Sequence, residues 1–155
     1  MTIEVPDADG MRRLGAAIAA AAQPGDLIVL TGELGAGKTT LTQGIGAGLG
    51  VAGDVLSPTF VIARVHRGGR IPLVHADAYR LGSVEEIDDL DLDASLEESV
   101  TVVEWGAGLV ERLAGDRLEV LIARSPDDHD ETRHVTLRPV GESWTKRIRD
   151  DVSYG

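Results

Sequence analysis

The chain has 155 residues, of which 43% are hydrophobic and 26% charged, and it carries a net charge of −11. That is the size and make-up of one globular domain, and its acidity argues against a stand-alone nucleic-acid binder, because basic contacts to phosphate dominate such affinity. It contains no cysteine, which excludes disulfides, thiolate metal sites and cysteine nucleophiles, and no apolar run is long enough to cross a bilayer.

Residues 2–5 read as a short strand. Asp7 or Asp9 is placed to cap a helix running to Ala22, with Leu14 and Ile18 on one face. Gln23-Pro24-Gly25 ends it. Residues 26–31 form an apolar, β-rich run that predicts a buried strand. Next comes Gly32-Glu33-Leu34-Gly35-Ala36-Gly37-Lys38-Thr39, which fits the phosphate-loop pattern G-x-x-x-x-G-K-[ST] at every fixed position. Leu41, Ile45 and Leu49 follow at intervals of four and share a helical face. Strand, glycine loop and helix are what phosphate binding needs: glycines let backbone N–H groups converge on the oxygens, and the helix N-terminus adds partial positive charge.

Residues 50–57 read as a connection. Residues 59–65 and 71–74 predict a hairpin across Arg67-Gly68-Gly69-Arg70. The stretch 84–98 is acidic and reads as short helical pieces. Residues 100–103 predict another buried strand, and 118–122 and 134–137 two more, separated by a polar loop at 125–131. The charged residues from Glu142 onward are read as either a short helix or a frayed end. This alternation implies an α/β fold of three layers, with a largely parallel central sheet and the hairpin as an antiparallel excursion. Residues 1–140 then form one nucleotide-binding domain and 141–155 a charged tail. The loop is expected at the carboxyl edge of the sheet, where such folds bind ligands.

Lys38 is one of only two lysines among 15 basic residues. A slim ammonium lies along a triphosphate inside a tight loop in a way that a broad guanidinium does not. A nucleotide loop calls for magnesium, which takes oxygen ligands. Thr39 supplies the hydroxyl that the pattern places on the metal, and a strand-end carboxylate usually completes the shell. Glu104, after the run 100–103, and Asp77, after 71–76, are the two candidates, against a reading of each as a solvated strand-end acid. Around Asp77, His75, Tyr79 and Arg80 add three chemically able side chains. Ser57-Pro58-Thr59 is a hydroxyl-rich turn placed where a nucleotide-sensing switch would lie. The four histidines show no metal-ligand spacing. The sequence has no asparagine, so an Asn-Lys-x-Asp guanine-reading motif is absent, which favours ATP over GTP.

Residues 32–40, Ser57-Pro58-Thr59, His75-x-Asp77-x-Tyr79-Arg80-Leu81 and Val103-Glu104-Trp105 occur in this order in the bacterial TsaE (YjeE) family, which the chain resembles over nearly its whole length. The resemblance implies a small cytoplasmic P-loop ATPase that supports formation of threonylcarbamoyladenosine in tRNAs reading codons that begin with A. It implies a TsaB–TsaD-type complex as partner, with tRNA met only through that complex, no membrane, and weak ATP hydrolysis that depends on the assembly and resets it. It implies that Gly35, Ala36, Gly37, Lys38, Thr39 and Thr40 bind ATP, that Thr39 and Glu104 hold Mg2+, and that Lys38, Asp77 and Glu104 serve hydrolysis. Ser57, Pro58, Thr59, His75, Tyr79, Arg80 and Trp105 would couple the nucleotide to a switch or partner. Arg133 falls near a basic position that approaches the adenine.

The chain departs from the family in having Ala76 and Ala78 where bulkier apolar residues are usual, and Gly106-Ala107-Gly108 where an acid usually follows the tryptophan. Two other activities use the same loop. A small-molecule kinase would need a lid, for which residues 124–133 are the candidate; a non-hydrolysing, nucleotide-dependent scaffold would need none.

Overall fold

A computed structural model describes residues 2–32, 37–51, 63–66, 69–77, 98–104, 116–124 and 131–150, with the backbone alone described at 63–66, 76, 77, 149 and 150. In chain order these form β1 (Thr2–Val5), α1 (Ala8–Ala21), β2 (Leu27–Gly32), α2 (Lys38–Leu49), β3 (Ala63–His66), β4 (Leu73–Asp77), β5 (Val100–Glu104), β6 (Arg117–Arg124), β7 (Arg133–Val140) and α3 (Glu142–Asp150). The expected segments 84–97 and 125–130 and the turn residues Arg67 and Gly68 lie outside the described residues.

The described strands make one seven-stranded sheet in the order β1-β7-β6-β2-β5-β4-β3. Its centre, β6-β2-β5-β4, is parallel. The hairpin β3–β4 closes one edge in antiparallel fashion, as the sequence predicts. The other edge is antiparallel as well, with β7 returning along β6 and β1 along β7.

Period-two alternation sorts the side chains of the central strands. Ile28 and Leu30 of β2, Val100 and Val102 of β5, and Leu73 of β4 join one apolar core with Leu14 and Ile18 of α1 and Leu41, Ile45 and Leu49 of α2. Their neighbours Leu27, Val29, Thr101, Val103 and Val74 are also buried, so both faces of the sheet centre are covered. With 3% aromatic residues in the chain, this core is built from aliphatic side chains, and Trp144 of α3 is its largest member.

Helices α1 and α2 pack in close contact. A Cβ on Gly15 of α1 would stand 2.4 Å from the Leu41 carbonyl oxygen, and one on Gly44 of α2 would stand 2.3 Å from that of Arg12. Only glycine at both positions allows this approach, and it fixes α2 against α1. Asp7 caps α1, its Oδ1 accepting the Gly10 N–H at 2.8 Å. The far end of α1 is capped by two distant arginines. Arg70 donates to the carbonyls of Ala19 (2.7 Å) and Ala22 (3.3 Å), and Arg147 of α3 donates to that of Ala21 at 2.9 Å.

The same Arg147 forms a bidentate pair with Asp26 at the head of β2, at 2.6 and 2.9 Å. It also donates to Ser143 and lies 4.1 Å above the Trp144 ring. Of the two readings of residues from Glu142 onward, the helix is therefore what forms. It is charged in sequence, yet Trp144, Arg147 and Ile148 are buried.

Candidate nucleotide-binding site

The central strand β2 runs into the loop, and α2 leaves it. Gly37 lies at the N-cap of α2 with φ 111°, a left-handed conformation natural to glycine. Unlike α1, α2 has no side-chain cap and no acid in its first turn. A helix N-terminus without a capping side chain or acid among the described residues is suited to an anion. Gly35 and Ala36 lie outside the described residues.

Lys38 opens α2 and is 6% exposed. Its Nζ donates to the carbonyl of Gly32, the last residue of β2, at 2.8 Å. The ammonium thereby ties the helix start to the end of β2. Thr39 and Thr40 follow in the first turn and are partly exposed. Thr42 turns inward instead, its hydroxyl donating to the Lys38 carbonyl at 2.8 Å.

Glu104 is the last residue of β5, one position beyond the predicted end of that strand. In the sheet register it stands opposite Leu30 of β2 on one side and Asp77 of β4 on the other. The two predicted acids are therefore neighbours at the carboxyl ends of adjacent parallel strands, beside the strand that feeds the loop. Glu104 is 4% exposed, and its Oε1 has no hydrogen-bond partner among the described residues. A buried carboxylate with an unsatisfied oxygen is an incomplete arrangement. A carboxylate at this position is also the kind of oxygen donor that a hard cation takes, directly or through its water shell. Glu104 and the Thr39 hydroxyl fit magnesium in the chemistry of their donors.

His75, two residues before Asp77, is fully buried with its Nε2 3.4 Å from Glu104 Oε1. Arg133, at the start of β7, lines a cleft of about 140 Å³ together with Asp7, Met11, Gly37, Thr40 and Glu131. The structure thus brings Arg133 beside the loop. Asp7, Met11 and Glu131 belong to this cleft although sequence reasoning does not place them there. Asp7 stands out in the sequence only as a helix cap, and nothing in the local pattern of Met11 or Glu131 marks them. Arg124 and Arg133, which bound the candidate kinase lid, are register partners across β6 and β7. Ser57, Pro58, Thr59, Tyr79, Arg80 and Trp105 lie outside the described residues.

Among the described residues no helix is long and apolar enough to cross a membrane. Comparison with known proteins agrees with the motifs. The chain is 60% identical over 138 residues to the tRNA threonylcarbamoyladenosine biosynthesis protein TsaE of Streptomyces coelicolor, covering 86% of this chain and 93% of that one. It is 42% identical over 127 residues to the protein of the same name from Bacillus subtilis, covering 81% and 77%. The fold superposes on the crystal structure of Bacillus subtilis YdiB with a TM-score of 0.79 at 31% identity, covering 97% of this chain and 92% of that one. The sequence pattern of the family described as "Threonylcarbamoyl adenosine biosynthesis protein TsaE" matches residues 5–135, and with the identity to these relatives the chain belongs to the TsaE family.

Proposed function

We propose that this protein is an ATP-binding, weakly ATP-hydrolysing subunit required for threonylcarbamoyladenosine modification of tRNAs that read codons beginning with A, and that it acts with a TsaB–TsaD-type complex in the cytoplasm. The observation that carries the nucleotide half of this reading is the alignment at one sheet edge of Lys38, bent over the end of β2, with Glu104 and Asp77 at the ends of the next two strands. The tRNA-modifying half is supported by family membership and by the names of the relatives.

In this reading the N-terminus of α2 and the Lys38 ammonium bind and orient the phosphates. Thr39 and Glu104 hold Mg2+, which when bound neutralises phosphate charge. Asp77 serves hydrolysis, either by orienting the water that attacks the γ-phosphorus or by ordering the groups around it. Arg133 and the cleft beside Gly37 receive the nucleoside. Residues 57–59, with Tyr79, Arg80 and Trp105, report the state of the nucleotide to the partners. Because the chain carries a charge of −11, contact with tRNA falls to those partners.

The test is phosphate release in the presence of ATP, Mg2+ and the TsaB–TsaD pair. The wild-type protein should release inorganic phosphate only when the pair is added, and Lys38→Ala should bind neither ATP nor, in an ATP-dependent pull-down, the pair. Hydrolysis by Lys38→Ala at the wild-type rate would sink the assignment, and a phosphorylated metabolite in place of free phosphate would indicate a kinase.

A further inference from the structure

The face of the sheet beneath α1 and α2 changes character toward the carboxyl ends of β4 and β5. Along β4 it carries Leu73 and then His75; along β5 it carries Val100, Val102 and then Glu104. The lower residues belong to the aliphatic core, and the upper two are polar. On β4 the change comes at His75, opposite Val102, and on β5 one pleat further on at Glu104, opposite Leu30, two residues before β2 ends at Gly32. His75 is 0% exposed, and among the described residues neither ring nitrogen has a hydrogen-bond partner. Glu104 Oε1 is in the same condition, and it lies 3.4 Å from His75 Nε2. Two buried, unsatisfied groups that face each other just beyond good hydrogen-bond geometry are a pair waiting for a small displacement, as sites commonly are before their ligands bind.

We propose that His75 is the positioning residue for the Glu104 carboxylate. Its Nε2–H holds Oε1 so that the other carboxylate oxygen is presented to the magnesium ion or to one of its waters. This rests on the reading of Glu104 as the metal-side carboxylate. A neutral imidazole has one N–H and one bare nitrogen. The Nε2–H tautomer makes a donor–acceptor pair with Oε1, whereas the other tautomer would set two lone pairs against each other. A fully buried imidazole on a strand also has little freedom to rotate, which suits a group whose task is to fix the direction of another. Such outer partners typically account for 10–100-fold in metal affinity. His75 therefore acts through Glu104 and does not itself touch the nucleotide.

The experiment titrates Mg2+ against binding of a fluorescent ATP analogue, and repeats the binding in EDTA. It compares wild type, His75→Leu, His75→Gln and Glu104→Gln. His75→Leu should raise the half-saturating Mg2+ about tenfold or more, while His75→Gln, whose amide reaches the Nε2 position, should stay within about threefold of wild type. Binding in EDTA should be the same for wild type and the two His75 variants. A His75→Leu response within about twofold of wild type overturns the proposal, as does an equal loss of EDTA binding in both His75 variants, which would make His75 a packing residue. If Glu104→Gln shifts the Mg2+ response and His75→Leu does not, this inference alone fails. If Glu104→Gln leaves the response unchanged, the metal assignment fails and takes this inference with it. Should His75→Leu not fold, His75→Gln and the imidazole ¹⁵N spectrum of the wild type decide. The proton must be on Nε2, with ring shifts that move when Mg2+ is added to the nucleotide complex; a proton on Nδ1 overturns the proposal.

Discussion

Lys38 is one of two lysines in a chain whose remaining basic residues are all arginine, and that choice can be tested by exchange. Lys38 Nζ reaches the Gly32 carbonyl at 2.8 Å from a buried position, and a guanidinium is too wide to lie there with a phosphate. Lys38→Arg should therefore keep the charge and still lose nucleotide affinity by about tenfold or more, equivalent to about 1.4 kcal/mol, as measured by titration calorimetry. Asp7 tests a different kind of residue. It caps α1 and also lines the cleft beside Arg133. Asp7→Ala should lower stability to urea by about 1 kcal/mol, and any further change in ATP affinity, measured under conditions where the variant is fully folded, reports the cleft. The strand-end acids are legible in the sequence because each directly follows an apolar, β-rich run, which marks the point where a buried strand emerges from the core. Their adjacency is not legible: that Asp77 stands opposite Glu104 depends on β4 and β5 pairing in parallel in one register, which is set by the whole sheet.

At the scale of elements, the close contact of α1 and α2 matters most, because α2 carries Lys38 and Thr39. A methyl at Gly44 would meet the Arg12 carbonyl at 2.3 Å, which is backbone and has nowhere to go. Gly44→Ala should push the helices apart, lowering stability by about 1–3 kcal/mol. It should weaken ATP binding even where the protein remains folded, as read by denaturant titration and by binding on the same preparation. Helix α2 itself is visible in the repeat of Leu41, Ile45 and Leu49. The extent of β7 is not. The sequence predicts a strand over 134–137, and the observed one continues through Arg138 and Pro139 to Val140. Proline looks wrong for a strand with neighbours, but β1 pairs only with 133–136. From Leu137 onward β7 therefore has β6 on one side alone, and such an edge stretch is where a strand tolerates proline. Helix α3 is hidden for a similar reason. Its buried residues are too few, and its charges too many, for periodicity alone to tell it from a frayed end.

For the whole molecule, the pair Arg147–Asp26 joins the last described helix to the head of the central strand. Both side chains are at least nine-tenths buried, so removing one strands the other without water. Arg147→Met should cost about 3–5 kcal/mol, seen as a fall in denaturation midpoint, while the nucleotide affinity of the fraction still folded stays near wild type. No local pattern reveals a partnership across 121 residues; each residue alone looks like an ordinary surface charge. Net charge, by contrast, is visible at once. At −11 the isolated protein should show no tRNA binding by fluorescence anisotropy at physiological salt, and binding should appear only with the partner proteins added.

The clamp also has a consequence in time. Asp26 is made 121 residues before Arg147. At ordinary synthesis rates of about 5–20 residues per second, the carboxylate at the head of β2 waits about 6–24 s for its arginine. Throughout that interval the strand leading to the phosphate loop is present in the nascent chain without the group that neutralises its start. The latching of the central strand is thereby tied to the last described helix, and a ribosome stalled before residue 147 would carry a chain with every loop residue already made and the head of the central strand still unlatched.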